Sequence, residues 1–319
     1  MDGLLIIDKP AGPTSHDVVA RMRRALGERR IGHTGTLDPA ATGVLPLVLG
    51  RATRLARFLS ADAKSYEAVV RFGFATDTRD ARGAPLTPCY EGPLPSRDAI
   101  EAQLTAFRGT FLQQPPAYSA KKIGGERSYT LARARSRSAD AAGLADQPDP
   151  LPAPSSVTVH QLDIVSVEPG SVTLHVDCSA GFYVRSLAHD LGERLGVGAH
   201  LAALRRTRSG DCRIEDAIPL AAADADPQQA IDRIIPLARM LPGLAPVVLS
   251  LEGVRRAIHG RDLGPGDTSS GEPFALSPQP SGQPSCQPWV RLLDPRGELV
   301  AIARPLGAGG LLHPSVVLV

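Results

Sequence analysis

The 319-residue sequence predicts an α+β fold, with a small β-rich module at its C-terminal end. Tyr66, Ala68, Val70, Phe72 and Phe74 recur at every second position, the period of a strand with one buried face. Apolar segments at 157–167 and 172–178 flank Pro169-Gly170 and read as two joined strands. Val18, Val19, Met22 and Leu26, and again Leu187, Leu191 and Leu195, repeat at helical spacing.

In chain order, 3–8 reads as a short buried strand ended by Lys9-Pro10 and a Gly12-Pro13 turn. Ser15 is the expected N-cap of a helix that runs to Gly27. The 30–43 segment, with Gly32, Gly35, Pro39 and Gly43 and little periodicity, reads as a loop. A strand at 44–49 follows, then helical spacing over 51–58, the 66–74 strand, and a helix marked by Ile100, Leu104 and Phe107. Residues 138–156, rich in Ala, Asp and Pro, read as a flexible loop. Beyond the 157–178 strands come a helix over 183–195, a strand over 200–209 and a helix over 228–241. A boundary falls near 242–246, and two short strands at 290–293 and 299–303 follow a low-complexity Ser/Pro/Gln stretch at 269–288.

Composition bounds the function. With 35 Lys+Arg against 33 Asp+Glu the chain is nearly neutral, at +2, and 43% hydrophobic content excludes wholesale disorder. Four dispersed cysteines (Cys89, Cys178, Cys212, Cys286) and eight dispersed histidines argue against a disulfide framework or a structural metal site, and point to a reducing compartment. The start, with acids flanking a four-residue apolar run, does not serve as a signal peptide, and no run approaches the roughly 20 residues of a membrane span. The expectation is a soluble, cytoplasmic protein.

The neutral total hides clusters. Eight arginines lie between Arg21 and Arg57, including Arg51 and Arg54, with only Glu28 and Asp38 as acids. Lys121, Lys122, Arg127, Arg133, Arg135 and Arg137 form a second run, and Arg205, Arg206 and Arg208 a third. Three such clusters in a neutral chain favour a polyanion-binding surface. Within the first, Gly32-His33-Thr34-Gly35-Thr36-Leu37-Asp38-Pro39-Ala40-Ala41-Thr42-Gly43 holds one carboxylate among cations. Glycines allow close approach of a ligand, and Pro39 biases Asp38 toward an extended conformation. A carboxylate held near cations stays ionised, which suits a nucleophile better than a general acid. On physical grounds alone an Asx-turn at a loop is an equal alternative.

The Asp38 loop resembles the catalytic motif of the bacterial TruB-type tRNA pseudouridine-55 synthases. Gly3-Leu4-Leu5-Ile6-Ile7-Asp8-Lys9-Pro10 with Gly12-Pro13-Thr14-Ser15 is similar to the family's N-terminal signature. Lys64-Ser65-Tyr66-Glu67-Ala68 is similar to its second motif, and Thr76-Asp77-Thr78-Arg79-Asp80 to its Thr-Asp-Thr-x-Asp turn. Pro115-Pro116-Ala117-Tyr118-Ser119-Ala120-Lys121-Lys122 resembles the start of its RNA-gripping thumb, and Ser179-Ala180-Gly181-Phe182-Tyr183-Val184-Arg185-Ser186-Leu187 its arginine motif. The matches run in the family's order over about 1–240. Two departures stand out: Ala40 occupies a position where many relatives have leucine, and the 138–156 loop is longer than expected.

The resemblance implies a pseudouridine-synthase catalytic domain over 1–242, built on a mixed, largely antiparallel sheet flanked by helices, with a thumb-like RNA-binding insertion at about 113–156. It implies a PUA-like RNA-binding module over 243–319. It makes Asp38 the nucleophile, Arg185 its partner, and Tyr66 both a stacking surface for the extruded uracil and the acceptor of the C5 proton. His33 would face the RNA, Tyr183 and Leu204 would line the uridine pocket, and Lys9, Gly35 and Thr36 would support the catalytic loop. Arg51, Arg54, Lys121, Lys122 and Arg127 would contribute to the RNA-binding surface. The implied reaction converts the T-loop uridine at position 55 of tRNA by breaking its N1–C1′ bond, turning the base and joining C5 to C1′. It needs no cofactor and no metal, and the expected partner is the tRNA T stem-loop, bound by a monomer without membrane or protein partners. A guide-RNA-directed catalytic subunit and a tRNA-folding chaperone with secondary catalysis are the alternatives. A glycosidase is discounted because no obvious second carboxylate accompanies Asp38.

Overall fold

The computed structural model describes residues 1–86, 88–119, 121–128, 130, 151–271, 289–306 and 310–318. A ten-stranded sheet organises the larger part. Its strands are β1 (Gly3–Lys9), β2 (Ile31–His33), β3 (Thr42–Leu49), β4 (Lys64–Phe72), β5 (Gly109–Gln113), β8 (Ser155–Glu168), β9 (Ser171–Cys178), β10 (Ala199–Ser209), β11 (Cys212–Arg213) and β12 (Ile218–Pro219). β6 (Lys122–Ile123) and β7 (Glu126–Arg127) form a separate two-stranded pair. The main path runs β12-β1-β3-β10-β4-β9-β8-β5, with β2 beside β3 and β11 beside β10. Only β1–β12 and β3–β10 pair in parallel, so the sheet is mixed and largely antiparallel, as expected.

Alternation decides which face each strand buries. In β1, Leu5 and Ile7 pack with Val18, Val19, Met22 and Leu26 of the helix Ser15–Leu26, while Leu4 and Ile6 turn to the opposite face. Ala68, Val70, Leu174 and Val176 pack against Leu187 and Leu191 of the helix Val184–Leu195 and Ile100 and Leu104 of the helix Arg97–Leu104. A four-stranded sheet follows in the order β13 (Ala245–Val248), β14 (Val290–Leu293), β15 (Leu299–Leu306), β16 (Leu311–Val317). Leu299, Ile302, Val316 and Leu318 share a core with Leu4, Ile6, Val44 and Val48, so this sheet covers the second face of β1 and β3.

Several expectations need correction. Thr14, not Ser15, caps the first helix, in a capping box with Asp17. Within the expected 30–43 loop, residues 31–33 pair with β3. The 51–58 segment is a 3-10 helix at Gly50–Leu55 followed by a short α-helix at Ala56–Ser60. The expected helix over 228–241 stops after Pro227–Asp232; Ile235 then bridges Leu4, because Pro236 lacks an N–H and disfavours a helical residue before it. β5, β13, β16 and the helix Leu251–Ile258 went unrecognised; in that helix Leu251 is exposed and Gly253 interrupts the pattern. Most of the 138–156 and 269–288 stretches, and Arg133, Arg135 and Arg137, lie outside the described residues; 155–156 begin β8.

Candidate active site

Asp38 sits in the turn between β2 and β3, and the backbone on both sides of it is tied down. Ser15 Oγ donates to the Leu37 carbonyl (3.0 Å) and accepts from its N–H (2.9 Å). Lys9, 0% exposed, donates through Nζ to the carbonyls of Pro10 (2.9 Å), Pro39 (3.2 Å) and Ala41 (2.7 Å). Gly12 N–H donates to Pro39 O at 2.8 Å and Ala41 N–H to Asp38 O at 3.0 Å. The loop is held while the Asp38 side chain stays 42% exposed to whatever enters the cleft.

Arg185, in the first turn of the helix Val184–Leu195, has only 8% of its side chain exposed. Its Nε lies 3.0 Å from Asp38 Oδ2, off the line of the N–H, so the contact is an ion pair rather than a linear hydrogen bond. Nη1 donates to Thr78 O (3.1 Å) and Nη2 to Tyr118 O (2.8 Å), which fixes the guanidinium plane. Asp80 Oδ2 lies 4.0 Å from the same Nη1. This second carboxylate, to which the sequence assigns no role, joins the site because its turn is stitched to β10: Ala81 N–H donates to Leu201 O and Leu201 N–H to Arg79 O, each at 3.0 Å. Asp38, Ala40, Asp80, Arg185, Leu201 and Leu204 line one cleft.

Tyr66 is buried on β4 directly across from Arg206 on β10. Burial pushes its phenol pKa up, while the Arg206 guanidinium on its hydroxyl pulls the other way. Arg206 is 1% exposed and binds Val44 O through Nε (2.7 Å) and Gly35 O through Nη2 (3.1 Å). It therefore joins the strand after Asp38, the loop before it, and Tyr66. The basic run at 205–208 predicts Arg206 on a polyanion-binding surface. The structure instead buries it, pairs Arg205 with Asp8 (2.8 Å), and pairs Arg208 with Asp177 (2.7 Å). Its period-2 relation to Leu204 was the available signal.

Tyr183 is the N-cap residue of the same helix and half-buried; burial raises its pKa. The buried Gln113 clamps its backbone, donating to Tyr183 O (3.0 Å) and accepting from Tyr183 N–H (2.8 Å). The Asp38 charge also opposes ionisation of both Tyr66 and Tyr183. His33 is half-buried on β2, edge-on to His16 at 5.3 Å, and burial lowers its pKa. Leu204 packs between the two main cores and reaches the cleft. A Cβ on Gly35 would come within 3.4 Å of Arg206 Nη1, and Thr36 is exposed. Of the expected surface cations, Arg54 is exposed and Lys121 half-buried, whereas Arg51 is engaged by Asp2 (2.9 Å) and Leu318 O (2.8 Å). Lys122 and Arg127 are backbone partners in β6 and β7. No cluster of three or more His, Cys, Asp and Glu that could hold a metal occurs among the described residues, and no helix there is long and apolar enough to cross a membrane.

The sequence and fold match known proteins. The model for the TruB family pseudouridylate synthase N-terminal domain matches 23–184, and that for the tRNA pseudouridylate synthase B C-terminal domain matches 185–241. The chain is 41% identical over 320 residues to tRNA pseudouridine synthase B of Solibacter usitatus, covering 100% of both. It is 47% identical over 270 residues to the protein of the same name from Gloeobacter violaceus, covering 84% of this chain and 88% of that one. Among solved structures it is similar to a chain of an H/ACA RNP bound to a substrate RNA containing 2′-deoxyuridine, with TM-score 0.69 and 25% identity over 99% of this chain and 85% of that one. A chain of a Cbf5-Nop10-Gar1 complex gives TM-score 0.67 and 27% identity over 96% of this chain and 79% of that one. Fold and site thus define a pseudouridylate synthase. Within that class, the chain belongs to the TruB family.

Proposed function

We propose that the protein isomerises the T-loop uridine at position 55 of tRNA to pseudouridine, with Asp38 as the residue on which the reaction depends. The Asp38–Arg185 ion pair in an open cleft is the observation that carries this reading: it presents an anion, oriented but accessible, to the sugar of an extruded nucleotide. Asp38 either bonds to the ribose or stabilises positive charge developing at C1′ as the N1–C1′ bond breaks; both routes need its carboxylate. The base turns so that C5 faces C1′ and the new bond forms there. C5 then gives up its proton while N1 gains one, so the reaction is balanced without oxidant, reductant or water. Tyr66, stacked on the base, accepts the C5 proton, and Arg206 beside its hydroxyl partly offsets the burial that holds the phenol in its neutral form. Leu204 and Tyr183 complete the uridine pocket, and His33 meets the RNA.

The 41–47% identity to tRNA pseudouridine synthases B supports a stand-alone tRNA enzyme over a guide-RNA-directed subunit, to which the similarity is 25–27%. Cys89, Cys178 and Cys212 are free thiols, which suits the reducing cytoplasm. Incubation of wild type and Asp38→Asn with an unmodified tRNA transcript, followed by pseudouridine mapping, tests the proposal. One modified T-loop uridine is expected with wild type and none with the variant. Absence of product from the wild type, or product only when guide RNA is added, overturns it.

A further inference from the structure

The cations around the Asp38 cleft are nearly all engaged by the protein. Lys9 is held by three carbonyls, Arg185 by Asp38 and two carbonyls, Arg206 by two carbonyls, and Arg79 donates to Ser186 Oγ at 2.8 Å. Arg82 is different. It is exposed, and its guanidinium has no hydrogen bond or ion pair among the described residues. Its backbone N–H donates to Asp80 Oδ1 at 3.0 Å, and the other oxygen of that carboxylate lies 4.0 Å from Arg185 Nη1. The position of Arg82 is therefore set by the group that faces the catalytic ion pair.

Arg82 lines a second depression with Gly12, Pro39 and Ala40, and Ala40 also lines the Asp38 cleft, so the two adjoin at that residue. The side chain at 40 is small and exposed, and a Cβ at Gly12 would meet nothing within 4 Å. Glycine, proline and alanine offer no side-chain donor or acceptor that could read a base edge. What the depression does offer is one unpaired guanidinium, whose planar fork suits a phosphate oxygen pair.

We propose that Arg82 binds the phosphodiester adjoining the extruded uridine, in an annex of the catalytic cleft floored by Gly12, Pro39 and Ala40. The inference rests on the tRNA pseudouridine synthase reading above. A nucleotide that leaves its stack draws its flanking phosphates toward the pocket, and a cation beside the cleft mouth meets one of them. Because the contact is to the backbone, it positions the strand and leaves the choice of base to the uridine pocket.

The test uses full-length protein and a tRNA transcript, comparing wild type, Arg82→Gln and Arg82→Lys in steady-state kinetics and in binding over a salt series. Arg82→Gln is expected to raise Kd and KM together by about two- to fivefold, the range of one exposed ion pair, with the effect confined to KM. The slope of log Kd against log salt should become shallower by about 0.7–0.9, the value for one phosphate, and Arg82→Lys should restore it. A neutral methylphosphonate at the adjoining linkage should weaken wild type and leave Arg82→Gln unaffected. An unchanged salt slope, additive effects of the variant and the methylphosphonate, or a fall in kcat at constant KM overturns the proposal; the last would mean that Arg82 acts through Asp80. Product formation by the wild type, read in the same reactions, separates failure of this contact from failure of the functional reading.

Discussion

Replacing Lys9 by methionine probes how the catalytic loop is held. The side chain is fully buried, and burial lowers its pKa from 10.5 to about 8. That depression means the ammonium is disfavoured in the folded protein by about 3 kcal/mol. Methionine removes the penalty but leaves three carbonyls without their donor. Only the bond to Ala41 O is fully buried, and losing it costs about 1–3 kcal/mol; the Pro10 and Pro39 carbonyls are part-buried and cost less. The two effects nearly cancel, so Lys9→Met should lie within about 1 kcal/mol of wild type at pH 7. Activity should not be spared. The tether brackets Asp38, and a displacement of about 1 Å can cost about 100-fold, so a 10- to 100-fold loss of kcat is expected. The pH dependence supplies an independent check. A base whose folded pKa lies below its unfolded value binds its proton more tightly when unfolded, so stability rises with pH between about 8 and 10.5. Wild type should gain about 2 kcal/mol over Lys9→Met between pH 7 and pH 9.5, measured by urea unfolding. A stability difference that stays flat over that range refutes the buried ammonium, and wild-type kcat in the variant refutes the tether.

Gly43→Ala should destabilise the protein by about 2–4 kcal/mol in urea unfolding, because φ is +99° there and a Cβ would overlap the Arg206 carbonyl oxygen. The same substitution should separate β3 from β10, read as faster amide exchange at Thr42 and Arg206. Gln113→Leu should cost about 1–3 kcal/mol by leaving the Tyr183 N–H and carbonyl without their side-chain partner. Its activity should fall through kcat, while Gln113→Glu, which keeps the acceptor for Tyr183 N–H, should recover part of the loss.

The parts of the fold legible in the sequence are those where periodicity and burial coincide. The helix Ser15–Leu26 and β9 each bury one regular face, so spacing locates them, whereas β1, buried on both faces, shows as a continuous apolar run. Residues 228–241 mislead because their apolar spacing continues past Pro236, where the missing N–H ends helix and lets Ile235 pair with Leu4. At the site, Asp38 is conspicuous as a single acid among glycines and arginines. Arg206 is not, because a buried arginine in a basic run looks like its exposed neighbours until the strand alternation is followed. Asp80 lies 42 positions beyond Asp38 in the chain, and only the parallel bridge to Leu201 brings its turn beside Arg185.

The fate of the basic residues explains why a nearly neutral chain can serve a polyanion. Arg205 and Arg208 are spent on acids, and Lys9, Arg185 and Arg206 on backbone carbonyls around one carboxylate. Burying Lys9, Arg185 and Arg206 costs stability that a hydrophobic side chain would not. The return is geometric: a guanidinium that holds Thr78 O and Tyr118 O while facing Asp38 fixes the anion without neutralising it by proton transfer. Cations consumed in this way cannot also bind RNA. On the proposed reading, polyanion binding falls to the exposed arginines, such as Arg24, Arg29 and Arg54 on the body and Arg82 at the cleft. On that division, neutralising an exposed arginine should change the salt dependence of binding, whereas neutralising a buried one should change catalysis or folding and leave the salt slope alone.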